Sequence, residues 1–377
     1  MNFDYNEEQQ LLADSVRRFL AKDYDFEARK RIVASKDGWS PAIWATMAEM
    51  GLTGIPFSPD FGGFGGGAVD LMAVMEAAGD ALLVEPYLAT IMGARLVARA
   101  GSEAQKKAIL PQVVEGKLKM AFAHAEKGAR YNLAKVEAQA KKAGGGWEIS
   151  GEKFVVLGAP AAGKLVVSAK TGKGLSLFLV DSSAKGLKIK SYVTLDEQRA
   201  GDVVLSGTPG ELIGAEGGAL PVIEEVVDFA TALVCAEAVG VMKFACDTTL
   251  EYLKTRKQFG VPIGTFQALQ HRMVDMYVAQ EQARSMACLA CSKVDSPAES
   301  GKDRASAVND RSRSVSAAKI KIADNCRLIS QESVQLHGGM GMTDEMKVSH
   351  AFRRLTMIAQ QFGDAEHHLA RFASLSS

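Results

Sequence analysis

The chain has 377 residues, of which 47% are hydrophobic and 23% are charged, with 44 basic and 44 acidic side chains. This length accommodates two or three domains with a large core. The even charge balance excludes an overall field that would attract nucleic acid or a membrane surface. No apolar run is long enough to cross a bilayer, and the polar, acidic start MNFDYNEEQQ does not resemble a signal peptide, so we expect no membrane insertion.

The five cysteines have no framework spacing, which predicts a reducing compartment, and we expect a cytoplasmic protein. Cys288 and Cys291 form a CxxC pair, but the pair lies inside a helical pattern with no second pair and no nearby histidine. A structural zinc site needs four ligands. The sequence therefore predicts buried thiols and no metal site.

The first predicted domain covers residues 1–118 and is all-α. Asn6 and Gln9 have the spacing of a capping pair at a helix start, and apolar residues follow at helical intervals. Ser40 and Pro41 suit the cap and first position of a later helix.

The second predicted domain covers residues 119–214 and is built of strands. Short β-prone runs alternate with glycines, and KKAGGGW at 141–147 predicts a hairpin turn. The runs are 154–157, 165–168, 175–180 and 203–205. Strands do not alternate with helices here, which argues against a doubly wound nucleotide-binding fold.

The third predicted domain covers residues 215–377 and returns to helix. Four long helical patterns suit an antiparallel bundle, which makes the fold class α+β. Their predicted ranges are 220–256, 265–292, a third following a polar gap at 293–305, and 343–372. In the third pattern one face carries Ala318, Ile322, Cys326 and Ile329.

The stretch EYLKTRKQFGVPIGTFQALQ at 251–270 joins two of these helices. Glycine and proline interrupt the first helix, and Thr265 is predicted to cap the next. Arg256, at the end of the first helix, can grip a pyrophosphate through two parallel hydrogen bonds. In the alternative interpretation, Arg256 and Lys257 only offset the carbonyl charge at a helix C-terminus.

A second stretch, QLHGGMG at 335–341, ends another long helical pattern, and its paired glycines let backbone N–H groups approach a ligand closely. RKQFG followed by Gln267, taken together with QxHGGxG, resembles the two signatures of the acyl-CoA dehydrogenase family over essentially the whole chain. The resemblance implies that family's fold: an N-terminal helical domain, a small central β-barrel or sandwich, and a C-terminal four-helix bundle. It also implies FAD-dependent α,β-desaturation of an acyl-CoA thioester.

In this family a FAD is shared across a subunit interface: one subunit holds the flavin ring through its β-domain, and its neighbour holds the pyrophosphate and adenosine. The residues matching the second set are present, namely Arg256, Phe259, Gln267, Gln335, Gly338 and Gly339. Most residues of the first set are replaced, by Ala125, Tyr131, Val155 and Leu157. These replacements remove hydroxyl donors and the aromatic ring that shields the flavin.

The resemblance leaves the catalytic base unassigned. The family's usual glutamate matches Phe362, and the position that some members use instead matches Ala230. Asp228 of a substrate-binding pair is kept, but Thr231 stands where an Arg would help to hold the CoA portion.

Two carboxylates remain as candidates for an independent base, Glu237 and Asp364. In the structural alternatives, Glu237 pairs with a nearby Arg or Lys, and Asp364 is solvated or caps a helix. His367 and His368 follow Asp364 and could support a base, although adjacent residues face different directions.

The split between kept and lost contacts suggests one subunit of a heteromeric acyl-CoA dehydrogenase, a heterodimer or an α2β2 heterotetramer whose partner binds the acyl-CoA. The chain looks most like the small subunit of pimeloyl-CoA dehydrogenase, and similar paired enzymes occur in steroid side-chain breakdown. An electron-transfer flavoprotein is the electron acceptor that the resemblance implies. The alternatives are a self-sufficient enzyme that uses Asp364 or Glu237 as base, and a scaffold or binding subunit without flavin.

Overall fold

The computed structural model describes residues 5–296 and 304–375, so most of the polar gap predicted at 293–305 lies outside the described residues. An N-terminal helical domain is followed along the chain by a middle β domain and a C-terminal helical domain. The α-helices described are α1 (Glu7–Asp23), α2 (Phe26–Ala34), α3 (Pro41–Glu49), α4 (Ala68–Ala81), α5 (Tyr87–Ala100), α6 (Glu103–Val114), α7 (Leu220–Thr255), α8 (Gln267–Asp295), α9 (Arg304–His337), α10 (Lys347–Gln360) and α11 (Ala365–Ser374). The strands described are β1 (Met120–Ala123), β2 (Gln139–Ala143), β3 (Gly146–Leu157), β4 (Lys164–Thr171), β5 (Gly174–Asp181), β6 (Leu187–Val193), β7 (Arg199–Ile213), β8 (Lys257–Gln258) and β9 (Val261–Pro262).

The chain divides into two compact units. One contains Met1–Arg29, Gly67–Leu83 and Thr231–Ser377, and the other contains Lys30–Gly66 and Val84–Ala230.

The predicted helix starts at Asn6 and at Ser40 are both confirmed. Asn6 accepts from the Gln9 amide at 2.8 Å, and the Gln9 side chain accepts from the Asn6 amide at 3.1 Å. Ser40 accepts from the Ile43 amide at 3.3 Å, with Pro41 as the first residue of α3. These local side-chain bonds satisfy helix N–H groups that would otherwise lack partners.

The middle domain forms a seven-stranded sheet in the order β1-β4-β2-β3-β7-β5, with β6 paired to β7 and β5 also paired to β4. The β4–β5 pairing closes the sheet on itself. The four predicted runs lie in β3, β4, β5 and β7, and KKAGGGW forms the β2–β3 hairpin turn, so both predictions are confirmed. Strands β1, β2 and β6 were not predicted. The interior is one apolar cluster that includes Ile149, Val167, Phe178, Val203 and Leu205.

The C-terminal helices follow the prediction except at the end. The predicted buried face of α9 is confirmed, since Ala318, Ile322, Cys326 and Ile329 are all inaccessible to solvent. The single last helix predicted over 343–372 is wrong, because α10 and α11 are separated by the turn 361–364.

The expectation that no apolar run could cross a bilayer also needs correction. Among the described residues one helix, α7, is long and apolar enough by length and composition. In the fold, 89% of its most apolar window is buried. A helix in a protein core and a helix in a bilayer are both rich in apolar side chains. The composition of α7 alone therefore does not distinguish a core helix from a membrane-spanning one.

Helices α4 and α7 touch at two glycines. A Cβ on Gly240 would lie 1.9 Å from the Glu76 carbonyl oxygen, and one on Gly79 would lie 2.1 Å from the Glu237 carbonyl oxygen. Contacts this short do not occur between real atoms, so the two backbones approach closely only because both residues lack a side chain.

We expect Gly240→Ala to lower the free energy of unfolding by about 1–3 kcal/mol. Alanine normally stabilises a helix interior relative to glycine, so a loss isolates the clash with the α4 backbone. Urea denaturation gives the value, with Gly172→Ala as the control because a Cβ there meets nothing within 4 Å. An unchanged urea midpoint for Gly240→Ala would mean that α4 and α7 can move apart with no loss in the free energy of unfolding.

Candidate functional site

The segment after α7 presents the first group of predicted cofactor residues. Helix α7 ends at Thr255, and the Arg256 amide still donates to the Tyr252 carbonyl at 2.8 Å. Strands β8 and β9 then form a short hairpin. Phe259 lies at its tip with a φ of +53° and 90% of its surface exposed. A bulky residue in the left-handed region is an outlier, so the hairpin holds this ring in solvent at a conformational cost.

The predicted capping role of Thr265 is wrong. Its hydroxyl donates to the Pro262 carbonyl at 2.8 Å, because 263–265 form a short 3-10 turn. Phe266 occupies the N-cap position without a side-chain cap bond. Gln267, the first residue of α8, is solvent-exposed.

The end of α9 presents the second group. Gly338 has a φ of +60°, and a Cβ on Gly338 or Gly339 would meet nothing within 4 Å. Gly341 differs, since a Cβ there would lie 2.7 Å from the Val334 carbonyl oxygen and 2.9 Å from the His337 Cβ. The third glycine is therefore required by packing, whereas the first two leave open space in which a ligand can reach the backbone N–H groups.

The structure brings the two segments together through the rings of Tyr252 and His337, whose centroids are 4.5 Å apart. All six predicted residues are solvent-exposed, namely Arg256, Phe259, Gln267, Gln335, Gly338 and Gly339. A guanidinium, two carboxamides and accessible glycine backbone form a donor set suited to a phosphate-bearing ligand. These side chains fit the adenosine and pyrophosphate end of the expected cofactor.

An exposed apolar stripe continues from this surface along α8. Phe266 contacts Phe259 edge to face, with ring centroids 6.2 Å apart. Val274, Tyr277 and Val278 follow at helical spacing on α8, and each is about half exposed. A contiguous apolar surface of this kind is typical of a protein–protein contact.

The turn between α10 and α11 carries the residue that matches the family's usual base. Phe362 has a φ of +61° and Gly363 a φ of +128°. A Cβ on Gly363 would lie 2.6 Å from Nε2 of His368, so glycine is required there. The phenyl side chain of Phe362 has no group that can accept a proton.

Two buried cationic or polar side chains hold this turn in place. The Lys319 ammonium, inaccessible to solvent, donates to the Gly363 carbonyl at 2.6 Å and to the Ala359 carbonyl at 3.1 Å. Nε2 of His368 lies 3.2 Å from the Phe362 carbonyl, and Nδ1 lies 3.3 Å from the Ser316 hydroxyl. A carbonyl only accepts, so Nε2 carries the proton in this contact. Burial, and then the positive charge of Lys319, lowers the pKa of His368 to about 3.

This shift predicts acid sensitivity of the turn. The folded pKa of His368 lies below the unfolded value of 6.5. The contribution of its neutral ring to the free energy of unfolding is therefore complete above pH 6.5 and is lost as the pH falls toward 3. Between pH 7 and pH 5 we expect a loss of about 2 kcal/mol in the free energy of unfolding from this group. Urea denaturation of wild type and His368→Gln at both pH values isolates the effect, because the variant lacks the titrating ring. Equal losses in the two proteins would contradict it.

Both candidate carboxylates have structural partners. The Glu237 carboxylate accepts two parallel hydrogen bonds from Nε and Nη2 of Arg354, each 2.6 Å long, and both side chains are buried. Asp364 is the N-cap of α11 and accepts from the His367 amide at 2.8 Å. Ala230, at the other possible base position, is fully buried in α7.

A buried polar cluster in the β domain was missed by sequence reasoning. The Lys153 ammonium, inaccessible to solvent, donates to Glu126 at 2.7 Å, to the Ser168 hydroxyl at 3.0 Å and to the His124 carbonyl at 3.3 Å. Burial lowers the pKa of Lys153 to about 8, although its hydrogen bond to Glu126 acts in the opposite direction. Burial also lowers the pKa of His124 to about 4. Only the fold brings His124, Glu126 and Ser168 to Lys153.

The surface beside this cluster carries the predicted replacements. Val155 has a φ of +51° and is 54% exposed, and its amide donates to Asp202 at 3.2 Å. A β-branched residue with positive φ is strained, and such strain concentrates at functional positions. Ala125 is exposed and Leu157 half-buried, and neither offers a hydroxyl. These residues do not fit the contacts that a flavin ring receives in the family.

A cavity of about 610 Å³ lies in the first unit, with α1, α4, α7 and α8 in its wall. Its lining includes Glu76, Arg284 and Lys347, and none of the six predicted cofactor residues. Burial raises the pKa of Glu76 and lowers that of Lys347 to about 8. The cavity is thus separate from the exposed cofactor surface.

Comparison with known proteins identifies the family of the chain. Models of the acyl-CoA dehydrogenase N-terminal, middle and C-terminal domains match residues 6–117, 121–207 and 218–374. "Acyl-CoA dehydrogenase FadE12" of Mycobacterium tuberculosis is 31% identical over 92% of this chain and 90% of its own length. "L-prolyl-[peptidyl-carrier protein] dehydrogenase" of Serratia sp. is 28% identical over the same shares.

Solved structures resemble the chain over nearly its whole length. "PigA with FAD and proline" has a TM-score of 0.89 at 27% identity and covers 99% of this chain and 98% of its own. A variant of the "Tcur3481-Tcur3483 steroid ACAD" has a TM-score of 0.87 at 27% identity and covers 98% of this chain and 97% of its own. Since models of all three domains match in order, the chain belongs to the acyl-CoA dehydrogenase family of FAD-dependent oxidoreductases.

Proposed function

We propose that this chain is one subunit of a heteromeric acyl-CoA dehydrogenase. It supplies the adenosine and pyrophosphate side of a FAD site whose flavin side belongs to an unlike partner. One observation carries the proposal: the adenosine-side residues form an intact exposed surface, whereas the flavin-side positions in the β domain carry Ala125, Val155 and Leu157.

Each exposed residue has a defined part. Arg256 donates to the pyrophosphate, and Gln267 and Gln335 donate from the two flanking helices. Gly338 and Gly339 let the backbone approach the ligand, and the exposed Phe259 ring supplies an apolar surface. These residues serve the partner's cofactor because they face outward from this chain.

The two positions at which the family carries its base hold no carboxylate in this chain. When bound, FAD supplies the hydride acceptor for α,β-desaturation of an acyl-CoA thioester. Removal of the α-proton requires a carboxylate within hydrogen-bond reach of the substrate. Phe362 occupies the family's usual position, while Glu237 is paired with Arg354 and Asp364 caps α11. The partner therefore provides the base and binds the acyl-CoA.

The exposed apolar side chains on α8 support a partner subunit at this surface. One resembling structure, a variant of the "Tcur3481-Tcur3483 steroid ACAD", is named for two proteins. We further propose an α2β2 heterotetramer or a heterodimer in the cytoplasm, with an electron-transfer flavoprotein as electron acceptor, as the family resemblance and the cysteine usage imply. The small subunit of pimeloyl-CoA dehydrogenase is the assignment that the motifs favour.

Flavin absorbance of the purified chain tests the proposal, first alone and then co-expressed with a family member, should its genomic neighbour encode one. We expect a nearly colourless chain alone and one FAD per pair in the complex. Stoichiometric FAD with turnover by the chain alone would overturn the proposal in favour of a self-sufficient enzyme. A complex that stays colourless would instead favour a scaffold subunit without flavin.

Gly339→Ala separates cofactor binding from stability. The residue has no left-handed φ and a Cβ there meets no atom within 4 Å, so we expect the free energy of unfolding to change by less than about 0.5 kcal/mol. In the complex, the added methyl group keeps the ligand from the backbone, and we expect FAD affinity to fall about tenfold. Fluorescence titration with FAD measures the loss. Unchanged affinity would place the ligand away from this turn.

A further inference from the structure

The two cofactor segments come from helices that end far apart in the sequence, and one ring contact joins them. Tyr252 lies four residues before Arg256 in the last turn of α7, and the Arg256 amide donates to its carbonyl. His337 is the last residue of α9 and directly precedes Gly338. The two rings are 4.5 Å apart between centroids and tilted by 31°. The contact thus lies between the guanidinium-bearing segment and the glycine turn.

The His337 ring is held in one orientation. Only 2% of the residue is exposed, and Nδ1 lies 2.7 Å from the Ser333 carbonyl, which makes Nδ1 the protonated nitrogen. Nε2 is buried with no hydrogen-bond partner within 5–296 and 304–375, so a second proton there would lie unpaired. Burial accordingly lowers the pKa of His337. These surroundings favour a neutral His337 ring in contact with Tyr252.

The glycine turn packs directly against His337. Gly341 folds back against His337, since a Cβ there would lie 2.9 Å from the His337 Cβ. On the other side, Gly264 packs against the Leu253 carbonyl, where a Cβ would lie at 2.9 Å, and the Ile263 amide donates to the Arg256 carbonyl at 2.8 Å. Each segment is therefore fixed to its own helix end, and the ring contact lies between the two ends.

We infer that Tyr252 and His337 are positioning residues for the pyrophosphate-binding surface. Their contact holds the Arg256 segment and the Gly338–Gly339 turn at a fixed separation before any ligand binds. Ligand recognition by two segments loses affinity when their relative freedom must be removed on binding. The inference rests on the proposed function, because it assumes that these segments bind the diphosphate of a dinucleotide.

Calorimetric titration of ADP into the full-length chain tests this, because ADP carries the adenosine and diphosphate without the flavin. We expect millimolar-range binding by wild type, and about tenfold weaker binding by His337→Ala and by Tyr252→Leu. The double variant should be no weaker than either single variant, since both remove one contact. His337→Phe restores a stacking ring and should bind within about twofold of wild type.

His368→Ala is the matched control for loss of a buried imidazole. It removes a ring from α11, and we expect a lower melting temperature with wild-type ADP affinity. If His337→Ala binds ADP like wild type, or His337→Phe is as weak as His337→Ala, the positioning role is overturned.

Arg256→Ala distinguishes the two proposals. If it weakens ADP binding while His337→Ala does not, only the positioning role fails. If Arg256→Ala has no effect, or wild type binds no ADP in the millimolar range, the proposed diphosphate surface fails as well.

Discussion

Glu237→Gln is expected to lower the free energy of unfolding by about 3–5 kcal/mol. The carboxylate accepts two 2.6 Å hydrogen bonds from Arg354, and the residues are only 4% and 5% exposed. Glutamine keeps the volume but removes the negative charge, so the buried guanidinium loses the Glu237 carboxylate as a charged acceptor. Equilibrium urea denaturation followed by far-ultraviolet circular dichroism measures the change.

Removing both charges distinguishes the ion pair from packing. The double variant Glu237→Leu with Arg354→Met should recover much of the lost stability, because it removes both charges of this ion pair together. A stable Glu237→Gln variant, with a loss under about 1 kcal/mol, would contradict the structural role. Turnover by the isolated wild-type chain that is abolished in such a stable variant would indicate a catalytic base.

Elements that depend on neighbouring residues could be predicted from the sequence, whereas elements that depend on tertiary contacts could not. Caps at Asn6 and Ser40 depend on side chains within three residues, and both were predicted. Strands β1 and β6 were missed. The segment MAFA of β1 has few β-branched residues, and LKIKSYV of β6 is half charged or polar; their pairing to β4 and β7 decides their structure.

The break at 361–364 illustrates a different limit. Phe362 has a φ of +61°, a conformation that its residue type does not predict, and the turn is stabilised by Lys319 and His368. Similarly, the partner of Glu237 lies 117 residues away, so the sequence could pose the alternative of a buried ion pair without naming Arg354. Tertiary contacts decide both cases.

The two segments of the proposed cofactor surface could be located from the sequence, and their binding role stays a prediction. RKQFG and QLHGGMG are local patterns, because the glycines act through their own backbone and Arg256 acts through its own guanidinium. The contact between the two segments was not predictable, because the ring of Tyr252 meets His337 only after α7 and α9 have packed.

Arg256→Ala in the assembled complex is expected to weaken FAD binding by about 100-fold. A guanidinium that donates two hydrogen bonds to a charged diphosphate contributes about 1.5–3 kcal/mol, and each 1.4 kcal/mol corresponds to a factor of ten in affinity. Arg256 is exposed in the chain alone, so its removal leaves no buried partner unpaired and folding should be unaffected. Equilibrium dialysis of the complex against FAD measures the dissociation constant.

Lys257→Ala provides the control, because Lys257 is also a cation, lies on the same exposed hairpin and is absent from the predicted cofactor set. If general attraction of a positive surface for phosphate held the cofactor, both variants would weaken binding by similar, salt-dependent factors. If Arg256 grips the pyrophosphate through directed hydrogen bonds, only its variant loses the full factor, and Arg256→Lys does not restore it, since an ammonium lacks the two parallel donors. Equal losses for Arg256→Ala and Lys257→Ala would return Arg256 to the simpler role of offsetting the carbonyl charge at the end of α7.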